Sequence, residues 1–288
     1  DVLKKSYKKF KIKSASQKIK NGKRIAGRPT FKDMVIVNGG KYTPSFFNEE
    51  REVCDLEVCK YPITQDMWME VMKNNPSKFK GGRRPVENVS WWDALEFCNK
   101  LSEKHGLKPV YDLSQKEEGI LRIYQSNGKI EYPNVADFRK TEGFRLPTEV
   151  EWEWFARGGE IAMQDGTFNY KYSGSKNVYK VAWNGNNSEK RTHDVGMKKP
   201  NQLGLYDCSG NIWEWCYDTS GDGYIPEKTP YRYEESVSGN RIKGGSFRSD
   251  IEYCSVFNCG RDEVIHRLWN GSKWVQFYLT SFRIVRTI

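Results

Sequence analysis

The chain has 288 residues, 37% of them hydrophobic and 14% aromatic, enough apolar mass for a packed core and too much for a disordered chain. Its formal charge of +10 belongs to one end: residues 1–28 carry nine Lys and two Arg against one Asp, which leaves 36 basic and 36 acidic residues beyond. A balanced body lacks the clustered cations that counterion release requires, so nucleic acid is not an expected partner.

Residues 1–30 read as a basic flexible arm or tether, with sparse apolar residues and crowded like charge. Over an anionic lipid surface each Lys or Arg of such an arm contributes about 1 kcal/mol. No run of about eighteen apolar residues occurs, so no membrane span is predicted. A start at Asp1 agrees with removal of an export segment or of a lipid-anchored leader. The body, 31–288, is expected to be one domain. It opens with a strand over residues 34–38, ended by Gly39 and Gly40, and a second extended piece lies near residues 58–63. Thr64 then caps a predicted helix that runs through Lys73 and is stopped by Asn75-Pro76. Ser90, with Asp93 three residues on, opens a second; Ala94, Leu95, Phe97, Cys98 and Leu101 form its apolar stripe and His105-Gly106 its end. Thr148-x-x-Glu151 is a capping box for a third, which exits at Gly158-Gly159. After Gly159, short extended runs broken by Gly, Asn, Asp and Pro leave little room for a long helix. The prediction is an α+β fold, two or three helices on small twisted antiparallel sheets.

Seven cysteines (Cys54, Cys59, Cys98, Cys208, Cys216, Cys254 and Cys259) are an odd number at low density, not a disulfide scaffold. Their spacings do not match paired zinc ligands, and His105, His193 and His266 are scattered. Most of the sulfurs are expected to be small buried hydrophobes.

Several segments stand in a telling order: Met34-Val-Ile-Val-Asn-Gly-Gly40, Pro85-Val-Glu-Asn-Val-Ser-Trp91, Phe144-Arg-Leu-Pro-Thr-Glu149, Gly204-Leu-Tyr-Asp207, Gly210-Asn-Ile-Trp-Glu-Trp215, Lys243-Gly-Gly-Ser246 and Phe282-Arg-Ile-Val-Arg286. Together they resemble the formylglycine-generating-enzyme (sulfatase-modifying factor) family across the whole body. The resemblance implies a variant of the C-type lectin fold. It also implies a test of activity, because enzymes of this family hold copper through two cysteine thiolates. The first follows the Gly-Gly-Ser core and the second lies five residues later, positions that fall here on Ser249 and Cys254. A hydroxyl is a hard, poorly ionised donor that does not replace a thiolate toward Cu(I), so oxidase activity is not expected. Cys98 and Cys259 match bridged family cysteines, but Ala156 and Ile284 stand at the partner positions, so both thiols are expected to be free. The family also holds calcium around its Gly-Asn-x-Trp-Glu-Trp motif, and the matching positions are Asp207, Gly210, Ile212 and Glu214. Two carboxylates and two carbonyls suit a hard cation. Equally, Glu214 could take a core hydrogen bond while Asp207 caps a turn. No cofactor is required, and a structural calcium is the one ion implied.

Residues 247–281 depart most from the family pattern. They mix Arg248, Arg261 and Arg267 with Phe257, Trp269, Trp274, Phe277 and Tyr278, the composition of binding hot spots and paratopes. Trp274 and Tyr253 are expected to belong to the core. The segment resembles the variable proteins diversified by retroelement-driven adenine mutagenesis, among them treponemal surface lipoproteins. In those proteins mutagenised Asn codons yield residues such as Arg, Ser, Asp, Tyr, Phe, His, Leu and Gly. By that rule Arg248, Ser249, Asp250, Phe257, Asn258, Gly260, Asp262, His266, Leu268, Phe277 and Tyr278 are admissible variable positions, with Trp269 as a further contact, while Glu252, Lys273 and Gln276 would be constant. The resemblance implies a cell-surface display protein for a protein or other macromolecular ligand. A copper-dependent formylglycine-generating oxidase, or another enzyme of the same fold, is the alternative.

Overall fold

The computed structural model describes residues 33–219, 239–261 and 279–288. The chain divides into Asp1–Thr30 and Phe31–Ile288, and the fold below is that of the second unit. β1 (Met34–Val37) pairs antiparallel with β4 (Leu56–Cys59), and β2 (Gly40–Tyr42) with β3 (Arg51–Val53) forms a hairpin between them. The second extended piece thus starts earlier than residues 58–63. Leu56–Cys59 carries the pairing, and the residues after it lead into α1.

The three predicted helices form, and their starts are the local events the side chains encode. α1 (Gln65–Met72) is capped by Thr64 Oγ1, which accepts from the Met67 N–H at 3.3 Å. It closes on Lys73 in a left-handed conformation (φ 65°), before the Asn-Pro stop is reached. α2 (Trp91–Lys104) has a reciprocal box: Ser90 Oγ accepts from Asp93 N at 3.1 Å, and Asp93 Oδ2 accepts from Ser90 N at 2.8 Å. Ser90→Ala is therefore expected to cost about 1 kcal/mol, read as a lower urea midpoint with an unchanged m value; an unshifted midpoint would show that the box contributes nothing. β5 (Tyr111–Asp112), β6 (Arg122–Tyr124) and β7 (Ile130–Glu131) form a small antiparallel sheet. α3 (Glu149–Ala156) follows Thr148, whose capping box with Glu151 has both bonds present.

Two short helices follow, α4 (Gly159–Gln164) and α5 (Val178–Val181), so the described residues hold five helices rather than two or three. Gly158 (φ 94°) ends α3, but the chain turns helical again at once. α5 is one turn capped by Asn177, too short for an apolar period to reveal it.

The central sheet runs β10-β9-β8-β11, built from β8 (Trp213–Thr219), β9 (Asn240–Lys243), β10 (Cys259–Arg261) and β11 (Thr280–Phe282). Here the expectation of antiparallel strands needs one correction, because β11 runs parallel to β8. A parallel neighbour needs a crossover of a dozen or more residues, and the long excursion between Thr219 and Thr280 supplies it. β12 (Val285–Thr287) then returns to β4 on the side opposite β1.

Every residue of β8 is buried, and its alternation divides the core. Trp213, Trp215 and Tyr217 enter the cluster that includes Trp68, Phe97 and Phe282, packed against α1 and α2. Cys216 points the other way, into the cluster of Val58, Trp152, Phe155 and Val285. Glu214 and Asp218 share that second direction as buried acids, and each finds donors. Asp218 Oδ2 accepts from the Glu149 N–H at the start of α3 at 2.6 Å.

Candidate ligand-binding surface

The chain leaves β9 through Gly244 and Gly245, both in left-handed conformation. A Cβ on Gly245 would stand 2.7 Å from the Tyr253 carbonyl oxygen, so this loop passes where a side chain has no room. Ser246 and Ser249 then close a tight turn: Ser249 Oγ accepts from the Ser246 N–H at 2.9 Å and lies 3.1 Å from Ser246 Oγ. The turn is pinned from outside as well. The Gly185 N–H donates to the Ser249 carbonyl at 2.9 Å, and Ser188 Oγ donates to the Phe247 carbonyl at 2.5 Å. Ser249 is thus a half-buried structural serine with its oxygen engaged.

Cys254 ends a 3-10 turn, Ile251–Cys254, and is buried among Tyr172, Val178, Val181 and Ala182. Burial pushes its thiol up to about 12, and the charge of Asp250 adds to the shift. At neutral pH it is a neutral packing residue. Cys54 and Cys59 are pushed up to about 11 and Cys208 to about 12, first of all by burial. All seven cysteines are free.

Of the predicted surface residues, Arg248 and Asp250 are exposed, and Asn258 is half-buried with its amide donating to the Glu252 carbonyl at 2.6 Å. Phe257 and Gly260 are half-buried and also pack inward. Phe257 packs on the inner cluster with the Arg157 guanidinium 5.0 Å from its ring. A Cβ on Gly260 would stand 2.7 Å from Ile242 Cγ1, inside the packing of the sheet. Tyr253, expected in the core, is 51% exposed, because the 3-10 turn buries Cys254 in its place and leaves the tyrosine edge-on to Trp213. It joins Arg248 and Asp250 on the surface, a contact the sequence did not single out. Asp262, His266, Leu268, Trp269, Phe277 and Tyr278, with Lys273, Trp274 and Gln276, lie outside the described residues.

Both acids of the implied calcium set are engaged by protein donors. Glu214 Oε1 accepts from the Arg283 guanidinium at 2.7 Å, while Oε2 accepts from Arg283 Nε at 3.0 Å and from Trp152 Nε1 at 2.8 Å. Both oxygens are occupied, and a fixed guanidinium beside them repels a cation. Asp207 stands in a left-handed turn (φ 58°), with Oδ2 accepting from Gly196 N at 2.8 Å. The alternative reading, a core hydrogen bond for Glu214 and a turn contact for Asp207, describes what is seen. Among the described residues, no group of three or more His, Cys, Asp or Glu could hold a metal, and no helix is long and apolar enough to cross a membrane.

Residues 22–288 match the sulfatase-modifying factor enzyme 1-like domain. The chain belongs to that family. Within it, the chaperone protein LppX of Paenibacillus barcinonensis is 38% identical over 249 residues, 80% of this chain and 83% of that one. The formylglycine-generating enzyme of Thermomonospora curvata is 34% identical over 127 residues, 40% of this chain and 42% of the enzyme. In three dimensions Treponema denticola variable protein 1 superimposes with a TM-score of 0.67 at 33% identity, covering 88% of this chain and 95% of that one. The sulfatase-modifying-factor fold and the likeness to a variable protein, both expected from the motifs, are therefore established.

Proposed function

We propose that this family member is a non-catalytic display protein that binds a protein or other macromolecular ligand through the surface formed by residues 247–281. The observation that carries the reading is position 249. A serine oxygen locked in its own turn stands where the family's enzymes need a thiolate, and the matching second thiol is buried and protonated. Arg248, Asp250 and Tyr253 give that surface exposed charge and aromatic area, the chemistry of binding rather than of oxygen activation. Two relatives that cover most of the chain support it by name, one a variable protein and one a chaperone protein, and the enzyme from Thermomonospora matches 40% of the chain. In this reading no cofactor is needed. The protein is exported and held at the cell surface, with the basic residues 1–30 as its tether.

Purified protein titrated with Cu(I) and offered a cysteine-containing sulfatase peptide is expected to take up no stoichiometric copper and to leave the peptide mass unchanged. Stoichiometric uptake with peptide conversion would overturn the reading in favour of the oxidase. The coding DNA offers a second check. A near-copy of the 3′ end that differs mainly at adenines is expected if the surface is diversified.

A further inference from the structure

The even charge of the body conceals a segregation that the fold creates. Arg83 and Arg84 leave a loop that docks on residues 192–195: Arg84 Nη1 donates to the Thr192 carbonyl at 2.6 Å, and Val195 N donates to the Arg83 carbonyl at 3.0 Å. Lys180, Lys198 and Lys199 stand together on the segment that continues from it. Lys199 N donates to the Lys180 carbonyl at 3.0 Å, and Lys198 Nζ donates to the Tyr179 carbonyl at 3.0 Å. Lys190 and Arg191 border it, on the turn that Ser188 ties to Phe247. The carboxylates on these loops are fewer: Glu189, which pairs with Arg191, the half-buried Asp194, and Asp66, bonded through its N–H to the Gly82 carbonyl. Lys176, Lys180, Lys190 and Lys199 are exposed, and no ion pair among the described residues ties them to an acid. Burial holds the His193 pKa below its ordinary value, and the charges of Arg191 and Arg84 push it the same way.

The aromatics on the face decide which polyanion it suits. Trp183 stacks on His193 (centroids 3.8 Å apart, planes at 12°) while Lys198 Nζ stands 3.9 Å from the same indole centroid. Two groups that close occupy opposite faces of one ring, so Trp183 is a filled wedge and offers no face to a nucleic acid base. Single-stranded nucleic acid needs successive open rings, and here Tyr179 stands alone as an exposed one. A bilayer would call for a band of protruding apolar side chains, and beside these cations only Met197 and Tyr179 protrude. Separated ammonium groups around one open tyrosine suit a sugar chain instead. A pyranose packs its C–H face on the ring, and its sulfates or carboxylates meet compact point charges without needing the fork geometry of arginine.

We infer that the face formed by residues 83–84 and 176–199 binds an anionic polysaccharide, of the sulfated or uronic-acid class. The inference stands apart from the display reading, since these cations lie outside residues 247–281. Its test uses the full chain on immobilised heparin oligosaccharide, eluted with a salt gradient. K180E/K190E/K199E is compared with K41E/K129E/K140E, which carries the same net charge and the same basic residues 1–28. The first variant is expected to bind about tenfold more weakly and to elute at much lower salt, while the second stays near the parent. Both replace exposed lysines, and circular dichroism confirms that both are folded. Equal elution of the two variants would overturn the site, because net charge alone would then account for retention. Equal or tighter binding of oligothymidylate or of phosphatidylserine vesicles through the same lysines would overturn the polysaccharide assignment.

Discussion

Arg283→Met is expected to destabilise the chain by about 3–5 kcal/mol, the largest single effect predicted for it. Arg283 and Glu214 are both fully buried and meet through two bonds, Nη2 to Oε1 at 2.7 Å and Nε to Oε2 at 3.0 Å. The guanidinium also donates to the Cys59 carbonyl at 2.8 Å and the Tyr206 carbonyl at 2.7 Å. One side chain therefore ties β4, the 206–207 turn, β8 and the last segment of the chain. A methionine fills the volume but leaves a carboxylate buried with one remaining donor, Trp152 Nε1. Removing one partner of a buried pair costs more than the pair contributes, since the survivor keeps its desolvation penalty. R283M/E214Q is accordingly expected to lose less than the sum of its single variants. Urea unfolding with a constant m value measures both. A loss below about 1 kcal/mol for Arg283→Met would put the pair with the weak ion pairs of protein surfaces and sink the argument.

What could be read in advance divides along the same line between local and distant chemistry. Ser90 with Asp93 and Thr148 with Glu151 announce their helices because donor and acceptor lie three residues apart, and both boxes are present. The motif Gly210-Asn-Ile-Trp-Glu-Trp215 identified the family, yet nothing within it says that Glu214 meets an arginine 69 residues further on. Tyr253 was misassigned because a 3-10 turn buries one residue in a run with no period to show which. Ser249 is the opposite case. Its chemistry was legible from its place after the Gly-Gly-Ser core, and the structure adds that its oxygen closes a turn. The basic face could not be read at all, since a net charge summed along the chain is blind to which loops meet. Arg84 and Thr192 are far apart in sequence and adjacent in space.

Asp207→Asn is expected to leave the chain at least as stable at pH 7 and to remove a pH dependence that the parent shows. Burial, the largest cause, raises the Asp207 carboxyl from 3.8 to about 6, against the opposing pull of the Gly196 N–H and the Arg283 charge. The folded state thus holds this proton more tightly than the unfolded chain does. The stabilisation that results is complete below about pH 4 and is lost as pH rises through about 6, amounting to about 3 kcal/mol over that window. Asparagine keeps an oxygen for the Gly196 N–H at 2.8 Å and tolerates the left-handed backbone, while carrying no charge to desolvate. Parent and variant should match near pH 4 and diverge above pH 6, the variant being favoured by up to about 3 kcal/mol. A bound calcium would reverse every sign, because an ionised Asp207 would then be a ligand, the asparagine would be the weaker partner, and a chelator would lower the melting temperature of the parent. Melting curves across that pH range, with and without chelator, separate the two. With both oxygens of Glu214 already committed to Arg283 and Trp152, the expected result is a chelator-insensitive parent and a variant that gains as the pH rises.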